Sequence, residues 1–245
     1  MRTDIHPGPT YRPLLWLGIF AVAMGVLEAI VVVYLRELFY PMGFSFPLNP
    51  IPPRILYTEI LREACTIVML LSVAAVISRD IHLRLSYFLF AFGVWDIFYY
   101  LGLKQILGWP PSLLTWDILF LIPVTWTGPV LAPVISSITF IVLSLLMIYL
   151  LRRYRRLKAG LTGWGLIVLG AFAIFLTYIW DISRLILDGG FLSDLSGIAE
   201  NAEFQEAVSD YVPERYNWGL FALGETLIIS AMALMARRTR KASMG

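Results

Sequence analysis

Long apolar stretches separated by short polar breaks run through almost the whole chain. A helix needs roughly 20 apolar residues to cross a hydrocarbon core of about 30 Å. Six stretches meet that length, at about 14–36, 55–78, 85–104, 130–151, 163–187 and 217–236. The pattern predicts an all-α, polytopic integral membrane protein with six transmembrane helices and one transmembrane domain over 1–245. The first run is too long for the h-region of a secretory signal and lacks a small-residue cleavage site after it. It reads as a retained span.

Residues 113–129, LLTWDILFLIPVTWTGP, break the pattern. The run is too short to span, and Pro123, Pro129 and Pro133 stop a helix from continuing through it. The expectation is a short re-entrant or interfacial half-helix over about 113–122, with Ser112 as its N-cap. The segment FYPMGFSFPLNPIPPR between the first two spans reads as ordered but non-helical. SGIAENAEFQEAV, inside the loop 188–215, reads as a short surface helix without an independent fold.

Composition agrees with the pattern. The chain is 59% hydrophobic and 15% charged, with a mean hydropathy of +0.76, whereas soluble domains carry about 25% charge. The net charge of +2 says less than its distribution. Arg2 and Arg12, then Arg79 and Arg84, then LRRYRRLKAG, then ARRTRK all fall on one side of a six-span bundle. The positive-inside rule makes that side cytoplasmic, which implies a multi-pass protein of the cell (cytoplasmic or inner) membrane with both termini inside. The opposite side receives the acidic loop 188–215, where Asp188, Asp194, Glu200, Glu203, Glu206, Asp210 and Glu214 face the single base Arg215. That loop could dock a membrane-protein partner. LRRYRRLKAG needs no nucleic acid to explain it, because anionic lipid suffices.

The chemistry concentrates in carboxylates beside tryptophans. Trp-Asp-Ile occurs at Trp95-Asp96-Ile97, Trp116-Asp117-Ile118 and Trp180-Asp181-Ile182. With a rise of 1.5 Å per residue, Glu28, Glu63, Asp96, Asp181 and Glu225 all fall on the order of 10 Å inside the outer ends of their spans. Glu59 and Asp117 lie nearer the surface, as do Arg36, Arg62, Lys104 and Arg184. A charge at mid-bilayer costs at least about 2.5–3.5 kcal/mol, so these groups should face each other or water. Seven acids against four bases leave three carboxylates to be protonated, hydrated or matched by a cation. Asp117, near the start of the expected half-helix, reads as a gate, a ligand or a cap. Trp95, Tyr99, Tyr100, Trp116, Trp180 and Trp218 are candidate aromatic lining. The similar placement of the acids on the first, third and fifth spans makes a threefold helix-hairpin repeat conceivable.

Three function classes fit these residues. The first is an outward-facing acidic pocket that binds or translocates a cation or proton, or a substrate coupled to one, with a hard divalent cation as a candidate cofactor. The second is a membrane-embedded enzyme acting on a lipid or outer-face substrate, with carboxylates as acid and base or as metal ligands. The third is a non-catalytic subunit or assembly factor whose ion pairs are structural. His6 lies in the tail and His82 in a cytoplasmic loop, which excludes histidine-ligated haem within the spans, and no nucleotide-binding motif is present. One cysteine, Cys65, rules out an internal disulfide. Gly165 and Gly170 suggest close helix packing.

Overall fold

The computed structural model describes residues 12–49, 51–191 and 201–243. Arg2, His6, Asp194 and Glu200 lie outside the described residues. Among the described residues, six helices are long and apolar enough to cross a membrane. They are α1 (Arg12–Phe39), α2 (Pro53–Ile77), α3 (Ile81–Leu107), α4 (Leu131–Tyr154), α5 (Gly160–Asp188) and α7 (Trp218–Lys241). Three of them, α1, α3 and α5, extend past the expected spans at both ends, and α4 and α7 run on at their C-terminal ends, because polar caps and interfacial residues can continue a helix beyond its apolar stretch. Asp80 accepts from the Leu83 N–H at the start of α3, and Asn217 accepts from the Leu220 N–H at the start of α7. α2 opens on Pro53, and Pro133 sits in the first turn of α4, where a missing N–H costs little.

α1 lies along α3, α3 along α4, and α5 along α7, while α4 connects the two halves through α7. α2 rests mainly on α3 and scarcely meets α1. Lipid is as apolar as leucine, so packing of this kind depends on close approach and on polar contacts. Glycines allow the approach. A Cβ added at Gly170 would lie 2.6 Å from the Gly224 carbonyl, and one at Gly102 would lie 2.7 Å from Ala29 Cβ. Gly165 faces open space, so only Gly170 of the expected pair packs a helix.

The segment at 113–129 is not a half-helix. β1 (Trp116–Phe120) and β2 (Trp126–Pro129) form an antiparallel hairpin in the register Trp116↔Pro129, Asp117↔Gly128 and Ile118↔Thr127. The Ser112 hydroxyl accepts from the Leu114 N–H in a turn and caps no helix. Aromatic and β-branched residues (Trp116, Ile118, Phe120, Thr125, Trp126, Thr127) favour strand. Pairing the two strands satisfies backbone that a proline-broken helix would leave open. The acidic loop does carry a helix, α6 (Ala202–Ser209), capped by Asn201.

Candidate functional site

Five carboxylates and two arginines line one cavity of about 240 Å³, a formal excess of three negative charges. α1 supplies Glu28 and Arg36, α2 supplies Glu59, Arg62 and Glu63, α3 supplies Asp96, and β1 supplies Asp117. Much of the remaining lining is apolar: Val32, Leu35 and Phe39 from α1, Leu56 from α2, and Ile118 and Phe120 from β1. Phe44, Leu48 and Ile51 come from the α1–α2 connection, and Phe204 and Val208 from α6. Three interhelical connections therefore meet at the same end of the bundle.

The charges are not equivalent. Arg62 forms ion pairs with Glu28 and Glu59, donating from Nε to Glu59 Oε2 at 2.7 Å. The i, i+3 spacing of Glu59 and Arg62 places that pair on one face of α2, and Glu28 ties it to α1. Arg36 Nη2 donates to Asp117 Oδ1 at 2.9 Å. Its guanidinium lies 3.7 Å from the Trp109 ring centroid and 4.5 Å from that of Phe44, so the buried cation is held by two aromatic faces as well. Tyr100 Oη donates to Asp117 Oδ2 at 3.4 Å. Burial pushes the Asp117 carboxyl up to about 6, although Arg36, the Ile118 N–H and the Tyr100 hydroxyl all pull it down. Glu63 and Asp96 differ from the rest because neither forms an ion pair among the described residues. Glu63 Oε2 accepts from the Leu121 backbone N–H at 2.8 Å, and Asp96 Oδ2 accepts from Ser137 Oγ at 2.7 Å.

The expected ring of acids is only partly assembled. Glu28, Glu63 and Asp96 reach the cavity with Glu59 and Asp117, but Asp181 and Glu225 do not line it. Asp181 accepts from Tyr211 Oη at 2.5 Å, and burial followed by this bond pushes the Tyr211 phenol well up. Glu225 accepts from Thr139 Oγ1 at 2.6 Å and Ser136 Oγ at 3.2 Å, between α4 and α7. Sequence depth was matched, but the α5–α7 pair turns its acids towards its own side of the bundle.

Two of the four bases also sit elsewhere. Lys104 donates to the carbonyls of Gly108 and Pro110 at 3.0 and 2.8 Å, closing the C-terminus of α3, and Arg184 is exposed. Asp117 is a strand residue paired with Arg36, neither the cap nor the half-helix group expected. Of the aromatic candidates, Trp95 and Tyr99 line the cavity. Tyr100 stands behind Asp117, Trp116 packs edge-on against Tyr216, and Trp180 and Trp218 are exposed anchors. The Trp95 indole N–H makes no hydrogen bond to its neighbouring carboxylate.

Sequence reasoning missed Ser137, the Leu121 N–H, Trp109, Phe44 and the cavity face of α6. The ordered reading of FYPMGFSFPLNPIPPR and the surface-helix reading of SGIAENAEFQEAV touched Phe44 and α6, but nothing local placed either at a cavity. Among the described residues, no group of three or more His, Cys, Asp or Glu side chains is placed to hold a metal ion. Comparison of the chain with protein-family models, curated proteins and solved structures finds no match.

Proposed function

We propose that the protein binds a positively charged organic molecule in this cavity: an ammonium group on a small apolar body, with Glu63 and Asp96 receiving the charge. One observation carries the reading. Glu63 and Asp96 line the same cavity and form no ion pair among the described residues, while Glu28, Glu59 and Asp117 are already paired. Carboxylates outside an ion pair and beside apolar walls favour a cation that brings its own apolar surface. A bare divalent ion wants six or more oxygen ligands, and the carboxylates are not grouped for that. Tyr99 and Trp95 add aromatic faces that attract an ammonium.

The cavity end of the bundle is the extracytoplasmic end in this reading, since the loops with Arg79, Arg84 and LRRYRRLKAG connect the helices at the other end. Both termini are then cytoplasmic.

The test is a titration of the purified protein in nanodiscs with tetramethylammonium and n-butylammonium, against sodium, magnesium and calcium. Intrinsic tryptophan fluorescence, to which Trp95 in the cavity wall contributes, and the unfolding midpoint are the readouts. The organic ammoniums should saturate and raise the midpoint, and Glu63→Gln with Asp96→Asn should abolish both responses. Saturation by magnesium or calcium alone would replace this reading with a metal site. A pH-dependent flux across vesicles with no ammonium response would replace it with a proton path.

A further inference from the structure

α6 has eight residues and none of them is buried. A helix that short is not stable by itself in water, so its place depends on a few contacts. Phe204, Gln205, Val208 and Ser209 form one face and line the cavity. Glu203, Glu206 and Asp210 point away and are exposed. At the start of the element, Phe204 packs edge-on against Phe191 at 5.4 Å between centroids. Just past its end, Tyr211 packs edge-on against Phe46 at 6.0 Å. Its phenol donates to Asp181 on α5 at 2.5 Å, a short bond to a carboxylate. Bonds of that kind are stronger than neutral ones. Asp181, one of the two acids that the cavity does not use, thus anchors the end of a segment that lines it.

We propose that α6 is a lid over the cavity, latched by the Tyr211–Asp181 hydrogen bond, and that ligands enter from the aqueous side when the latch opens. Segments with little buried apolar area open locally at low cost, and no residue of α6 is buried. The alternative door lies in the bilayer, between α1 and α2, which scarcely touch. Across that gap, however, Arg62 of α2 is ion-paired to Glu28 of α1 and Thr66 donates to the same carboxylate at 3.4 Å. The lid rests on the cavity being a binding site and not on the charge of what it binds.

The test needs no ligand. Cys65 is replaced by Ser, Val32→Cys is introduced in the cavity wall, and the full-length protein in nanodiscs is labelled with a membrane-impermeant cationic methanethiosulfonate. Tyr211→Phe removes the latch and keeps the ring against Phe46, while Val208→Asp puts a charge on the face that lines the acidic cavity. Loss of one hydrogen bond to a carboxylate should raise the labelling rate about ten-fold, and Val208→Asp should raise it at least as far. Backbone hydrogen exchange across α6 should accelerate with it, while exchange in α3 stays unchanged. Unchanged labelling in both variants would overturn the lid. So would labelling by a lipid-soluble maleimide alone, at one rate in every variant, which would place the door between α1 and α2. Either failure leaves the ammonium titration standing, and a negative titration leaves the labelling result readable.

Discussion

Arg62 holds two carboxylates, Glu28 and Glu59, and that arithmetic decides what its removal does. Arg62→Ala leaves these two acids at a shared cavity without their ion-pair partner. Breaking a buried pair from one side costs about 3–5 kcal/mol; these side chains keep some exposure, so the lower end is expected. Unfolding in detergent should show the loss, and adding Glu28→Gln and Glu59→Gln should recover most of it. Full destabilisation surviving in the triple variant would mean that Arg62 acts by packing and not by charge. Asp117 gives a pH signature. Its folded carboxyl titrates near 6 because burial outweighs Arg36. An acid raised on folding adds stability that is fully present below its unfolded pKa, near 4, and is lost as pH rises through about 6. The unfolding midpoint of the wild type should therefore fall between about pH 4 and 6 more steeply than that of Asp117→Asn. Parallel profiles would remove Asp117 as the source.

At the scale of elements, the hairpin and α2 act as one unit. The Leu121 N–H at the end of β1 reaches Glu63 on α2, and Asp117 on β1 reaches Arg36 on α1. The hairpin thus fixes the spacing of two helices that hardly contact each other, and the cavity occupies the gap. The other half of the bundle is held by direct approach at Gly170 and Gly224. Gly170→Leu would force a side chain onto the α7 backbone, and overpacking of that kind costs about 1–3 kcal/mol. The expected result is a lower unfolding midpoint with ammonium affinity unchanged, because that contact lies outside the cavity. The same change at Gly165, which meets nothing, should be silent.

The whole molecule is a bundle of two unequal halves, with the carboxylates of its long helices gathered towards one end. The proposed orientation predicts that a reporter fused after Lys241 reads as cytoplasmic and that a tag inserted near Glu206 is labelled from outside intact cells. The opposite result would invert the cavity. Much of this was legible along the chain. Six spans follow from apolar length alone, because a bilayer imposes one thickness on every crossing. The concentration of acids near one end follows from counting residues along helices of fixed rise. Rotation of a helix about its axis is not written in that count. Asp181 and Glu225 stand at the expected depth yet point to Tyr211 and to Ser136 with Thr139, because the α5–α7 contact sets which way those helices face. Proline positions likewise said that 113–129 could not be a continuous helix. Strand pairing between Trp116 and Pro129 settled what it is instead, and that pairing is a contact between residues apart in sequence. Length, hydropathy and axial position are local properties, so the sequence determined them. Azimuth, pairing and the enclosure of a cavity exist only once separate segments touch, and the tertiary structure alone decided them.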